Sequence, residues 1–164
     1  MRRVIPAVVL PFMLVGCGGE SAPSAAPQEP APAASAPAQP QTEEAVREAA
    51  QEHVDAYVSG DYAGAWESWS NNAKKVLDQA GYVRLNELCP QLAEGVPMKV
   101  DAVRLNAAKT VAVVRFERLG FKFSYKYLYE DGRWRFQPDA ETIADYRLGA
   151  EALAAKRKRE GSCG

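Results

Sequence analysis

The hydrophobic period of this chain changes once, from helical spacing before Gly95 to alternation after Pro97, and that switch lays out the expected fold. Between Thr42 and Gly60, the residues Val46, Ala50, Val54 and Tyr57 recur at three- and four-residue intervals, which predicts an amphipathic helix. Thr42 suits its N-cap, Glu43 and Glu44 sit where the positive end of a helix favours acids, and Ser59 with Gly60 closes it. Asp61 can cap a second short helix carrying Tyr62, Ala65, Trp66 and Trp69. Asn71 can start a third with Val76 and Leu77, and Tyr82, Leu85, Leu88 and Leu92 share one side of a further segment that Pro90 interrupts.

Beyond Pro97 the pattern is that of strands. Residues 98–105 and 109–117 are expected to pair across a turn at residues 106–108. Phe121, Phe123, Tyr125, Tyr127 and Tyr129 then alternate with Lys122, Ser124, Lys126, Leu128 and Glu130, Asp131 and Gly132 form a tight turn, and Trp134 and Phe136 continue the alternation on the return strand. The face expected to point inward carries Val111, Val113, Phe121, Phe123, Tyr125, Tyr127, Tyr129, Trp134 and Phe136. A last helix is expected from about residue 139 to 160, with Ile143, Tyr146, Ala150, Leu153 and Arg157 on one face.

The first 41 residues read differently. Arg2 and Arg3 precede an apolar run from Val4 to Val15, too short and too proline-interrupted to span a bilayer well, and small Gly16 stands just before Cys17. Leu14, Val15, Gly16 and Cys17 resemble the lipobox of bacterial lipoproteins. That resemblance implies a signal peptide over residues 1–16, a diacylglyceryl thioether on Cys17, and a mature protein anchored to the cell membrane on its extracytoplasmic face. Residues 18–41 are almost wholly Ala, Pro, Ser, Gly and Gln, with prolines at 23, 27, 30, 32, 37 and 40. With no large side chain to bury, residues 17–41 are expected to be a disordered tether, reaching ~70 Å at roughly 3.1 Å per residue if fully extended.

Removing signal and tether from the 164 residues leaves residues 42–164, enough for one domain with one core. The formal charge of −1 becomes −3 once the two signal arginines are gone, leaving 18 basic against 21 acidic residues, a balance that speaks against a nucleic-acid partner. One histidine, three cysteines and no CxxC spacing leave little for a metal or haem site, and no cofactor is expected. With Cys17 lipidated, Cys89 and Cys163 remain as an even pair on an oxidising side of the membrane, where a disulfide is expected.

Helices first, with Ser59-Gly60-Asp61-Tyr62-Ala63 and the Trp66 helix, then antiparallel strands ending in Tyr129-Glu130-Asp131-Gly132-Arg133-Trp134: this order resembles the nuclear transport factor two-like fold. It implies an α+β domain whose helices pack on a curved antiparallel sheet, a cone that often holds a ligand, here with an additional C-terminal helix. More narrowly the chain is similar to lipoproteins of high-GC, actinobacterial type ending in a Cys-Gly tail, as Ser162-Cys163-Gly164 does.

Enzymes of that fold need an acid or base in the cone, and the expected inward face carries no Asp, Glu or His. His53 is the tempting base, but beside Glu52 and one position off Val54 it reads as a boundary or exposed residue. Asp61 reads as a helix cap, and the Lys156-Arg157-Lys158-Arg159 run as the complement of a helix C-terminus. No catalytic residue is therefore assigned. A ligand pocket, if the cone is open, is expected to be lined by Trp66, Phe123, Tyr125, Tyr127 and Trp134. The expected role is non-catalytic binding of a small apolar ligand or an envelope protein; the alternative is an isomerase, dehydratase or cyclase using the cone.

Overall fold

The computed structural model describes residues 37–164; the expected signal peptide, Cys17 and most of the expected tether lie outside the described residues. Among the described residues six helices and four strands follow in order. The first helix, α1, spans Glu43–Val58, and the Thr42 hydroxyl accepts from the Ala45 N–H at its start, as the capping pattern predicts. Asp61 caps the short α2 (Tyr62–Glu67) by accepting from the Gly64 N–H at 2.9 Å, so its carboxylate is used structurally. Ser70 caps α3 (Asn71–Lys74) and Asp78 caps α4 (Gln79–Leu88) in the same manner. Leu92, expected on the α4 face, lies beyond Pro90 and past the helix end at Leu88, and is 69% exposed.

Strands β1 (Lys99–Leu105), β2 (Val111–Arg118), β3 (Phe121–Glu130) and β4 (Arg133–Gln137) form one antiparallel sheet in sequential order. This is the α+β class expected. Asp131 and Gly132 both have positive φ, the geometry of a two-residue hairpin that follows the strand twist. A register shift at Asp101 marks a bulge in β1, a device that bends a strand. The edge of β4 is covered by residues 68–70, where Phe136 exchanges backbone hydrogen bonds of 2.8 Å with Ser68 and Ser70.

The core lies between α1 and the sheet. From α1 it takes Val46, Ala49, Ala50, His53 and Val54, a stripe of two positions per turn. From β2 it takes Ala112, Val114 and Phe116 rather than Val111 and Val113, which corrects the inward phase read from the sequence. Register explains the correction: Ala112 pairs with Tyr127, Val114 with Tyr125 and Phe116 with Phe123, and paired residues share a face. Arg115 and Glu117 face solvent on that strand. Phe121, also expected inward, stands at the hairpin tip next to Leu119 and Gly120 and is 74% exposed.

The C-terminal helix is two helices. Gly149 adopts φ 78° and breaks the run into α5 (Ala140–Tyr146) and α6 (Ala150–Arg159). The buried face keeps the expected residues, Ile143, Tyr146, Ala150 and Leu153. Cys89, at the end of α4, is bonded to Cys163 with Cα atoms 4.9 Å apart, so the disulfide expected from the sequence ties the tail back to the helix before the sheet.

Gln39 and Pro40, read as part of the end of the tether, are bound to the β3–β4 hairpin. The Gln39 N–H donates to the Gly132 carbonyl, the Tyr129 hydroxyl donates to the Gln39 carbonyl at 2.6 Å, and the Trp134 indole donates to the Pro40 carbonyl at 3.0 Å. Satisfying these backbone groups fixes the chain before α1 begins.

Candidate functional site

Where α5 and α6 close over the open side of α1 and the sheet, they leave a cavity of about 190 Å³. Tyr57 and His53 reach it from α1, Tyr82 and Asn86 from α4, Tyr125 and Phe136 from the sheet, Tyr146 from α5 and Arg157 from α6. Six elements separated by up to about a hundred residues of sequence converge there. Met98 and Val54 supply the aliphatic part of its wall.

Four tyrosines give the cavity its character. Burial raises the Tyr57 hydroxyl above its ordinary pKa, pushes Tyr125 up to about 12, and raises Tyr82 and Tyr146 as well. All four are neutral donors and acceptors at physiological pH. Asn86 lies beside Tyr82 and Arg157 beside Tyr146, while the Tyr57 and Tyr125 hydroxyls have no hydrogen-bond partner among the described residues. Behind this wall Trp69 stacks on Tyr146 at 4.9 Å and 18°, and packs on Tyr82 at 4.5 Å. Such ring pairs hold the tyrosines in fixed orientations.

His53 is buried at 5% exposure, which corrects its reading as a boundary or exposed residue. Its ring lies 4.4 Å from that of Phe136, and its Nδ1 is 2.8 Å from the Tyr127 hydroxyl. Tyr127 has zero exposure and no other hydrogen-bond partner among the described residues, so its hydroxyl donates to Nδ1 and the ring proton resides on Nε2. Desolvation lowers the His53 pKa from 6.5 to about 3. The imidazole is therefore neutral, and its one basic lone pair is already directed at Tyr127.

The five residues expected to line a pocket do not share one. Tyr125 lines the cavity. Tyr127 lies beneath it as the partner of His53. Phe123 packs on Phe116 and Tyr125 farther along β3. Trp66 donates from its indole to the Leu77 carbonyl at 2.9 Å, with the Lys74 ammonium 4.4 Å over its ring, and so serves the junction between α2 and α3. Trp134 shares the face of Tyr127 and Phe136 but pairs with Tyr129 nearer the hairpin turn, where it receives Gln39 and Pro40. The residues that sequence reasoning missed are Tyr57, Tyr82, Tyr146, Asn86 and above all Arg157. A signal existed for the last: Arg157 follows Leu153 by four positions and Ala150 by seven, so a cation sits on the core face of α6.

Among the described residues no group of His, Cys, Asp and Glu is arranged to hold a metal ion, and no helix is long and apolar enough to cross a membrane. Chemically the arrangement offers aromatic walls, neutral hydroxyls and one guanidinium, with no carboxylate in the lining. No protein-family model matches this chain, and neither a curated protein nor a solved structure with significant similarity was found.

Proposed function

We propose that this chain is a lipid-anchored extracytoplasmic domain of nuclear transport factor two-like type that binds a small, mostly apolar ligand without catalysis. The carrying observation is the tyrosine-lined cavity in which the one imidazole is neutral and hydrogen-bonded through its basic nitrogen. A general base works best when its pKa lies near the operating pH and its lone pair faces the substrate; His53 meets neither condition. The Cys89–Cys163 bond suits an oxidising compartment, in keeping with the Leu14-Val15-Gly16-Cys17 box. A helix-first order followed by a sequential antiparallel sheet supports the fold reading.

The catalytic alternative has one observation in its favour, since a buried histidine does border the cavity. Replacing His53 by Gln, which keeps a group able to accept from Tyr127, separates the two. Ligand binding is expected to persist in this variant, whereas an isomerase or dehydratase would lose its turnover. For the binding reading itself, native mass spectrometry of the full-length protein, extracted from membranes in mild detergent, is expected to show a small co-purifying adduct. Met98→Trp, which fills the cavity, should remove that adduct. An adduct that survives Met98→Trp, or wild-type protein that never carries one and binds no member of a small-molecule panel, overturns the proposal.

A further inference from the structure

Arg157 distinguishes this cavity from a plain apolar hollow. Its neighbour Lys156 is held by Asp145 at 2.6 Å, and Arg84 is placed between Glu87 and Glu151. Arg118, which shares a second hollow with Tyr57, Asn86 and Arg157, donates to the Gln91 side chain and to the Val96 and Ala93 carbonyls, closing the loop before β1. Arg157 forms no ion pair among the described residues, is half-buried, and is turned toward the tyrosines of the cavity. A half-buried guanidinium among aromatic rings, with no carboxylate in the lining, leaves a positive charge uncompensated by the protein.

We infer that the cavity takes a small carboxylic acid with an apolar body of about one ring, its carboxylate paired with Arg157 and its body held among Tyr57, Tyr82, Tyr125 and Tyr146. The inference rests on the ligand-binding reading above and adds the chemical class. Three features select that class. The charge is single, because Arg157 is the one charged side chain in the lining and His53 is neutral, so a monoanion balances it where a phosphate monoester of charge near −2 would bring in an excess buried charge. The guanidinium fork matches a carboxylate with two parallel hydrogen bonds. The volume of about 190 Å³ lies below the ~300 to 1,000 Å³ of drug-sized sites, which limits the body to one ring or a short chain. The unpartnered Tyr57 and Tyr125 hydroxyls are available to a polar substituent on that body.

The position of the cation is built into the fold. Arg157 lies on α6, Tyr82 and Asn86 lie on α4, and the Cys89–Cys163 bond joins the ends of those two segments. The arrangement that aligns anion binder and aromatic wall is therefore covalently fastened.

The test compares phenylacetate with its neutral amide, phenylacetamide, by NMR titration on the full-length protein in detergent at pH 7.5. Wild type should bind phenylacetate at least tenfold tighter, the discrimination expected of a roughly 1.5 kcal/mol charge-assisted contact. Arg157→Gln should erase the preference for the acid over the amide, and Arg157→Lys should keep part of it. Equal affinity for the two compounds in wild type, or a preference that survives Arg157→Gln, overturns the charge assignment while amide binding sustains the cavity reading. Binding of neither compound up to the solubility limit, or binding that persists in Met98→Trp, overturns both. The wild-type comparison of acid with amide decides the matter even if the Arg157 variants do not fold.

Discussion

Acid should loosen this domain in a pH range where ordinary carboxylates are still ionised, and His53 should be the reason. In the folded protein its pKa is lowered from 6.5 to about 3 by desolvation, whereas in the unfolded chain it titrates near its ordinary value. Below pH 6.5 the unfolded state thus binds a proton that the folded state refuses, so stability falls as pH falls and the loss is complete only below about pH 3. At a slope of about 1.36 kcal/mol per pH unit, the change from pH 7.5 to pH 5 amounts to roughly 2 kcal/mol. Asp101 and Asp139 have lowered pKa values, through Arg115 and through the backbone of Thr142 respectively, and their losses come at more acid pH. The assay is urea unfolding at pH 7.5, 6.5, 5.5 and 5, followed by tryptophan fluorescence. With a slope of about 2 kcal/mol/M, the wild-type midpoint should fall by about 1 M across that range. His53→Gln, which does not titrate, should lose most of this dependence whatever its absolute stability. If wild type and His53→Gln fall by the same amount, the buried neutral imidazole is not the source of the acid sensitivity and the desolvation assigned to His53 is wrong.

Three further outcomes can be measured. The double substitution Cys89→Ala and Cys163→Ala opens a loop with a sequence separation of 74 residues and should lower stability by up to ~4 kcal/mol in the chain-entropy account, read from urea melts of oxidised and cysteine-free protein. Tyr127→Phe removes the donor to His53 Nδ1 and should cost about 1–3 kcal/mol, while the freed lone pair lets His53 protonate at a higher pH, which imidazole NMR chemical shifts would report. Cys17→Ala should abolish metabolic labelling by a fatty acid and block signal cleavage; label that persists on this variant removes the lipoprotein reading.

Local chemistry was the legible part of the sequence. Thr42 and Asp61 cap helices, Asp131-Gly132 turns a hairpin, and β3 alternates from Lys122 to Leu128, because each feature depends on neighbours within a few residues. The pairing of Cys89 with Cys163 was legible by count, given the compartment that the Leu14-Val15-Gly16-Cys17 resemblance implies. The phase of β2 was not, since Val111, Val113 and Val114 are all apolar and only pairing with β3 decides which of them meets the core. Gly149 was a visible interruption in the last helical pattern, yet the faces of α5 and α6 remain in phase across it, which is why a single helix looked continuous.

His53 and Arg157 show why the site was harder to read than the fold. Both stand on the buried face of a helix, three or four positions from buried apolar residues: Ala49 and Ala50 before His53, Leu153 before Arg157. Polar residues at such positions are usually taken for the edge of the stripe, because burial costs them hydration unless a partner waits across the interface. That partner is not visible in one dimension. For His53 it is Tyr127, 74 residues away, and the bond between them turns an apparent base into a fixed neutral dipole. For Arg157 no carboxylate of the lining provides it, and the half-buried guanidinium beside Tyr146 is the charge that the proposed carboxylate ligand would meet.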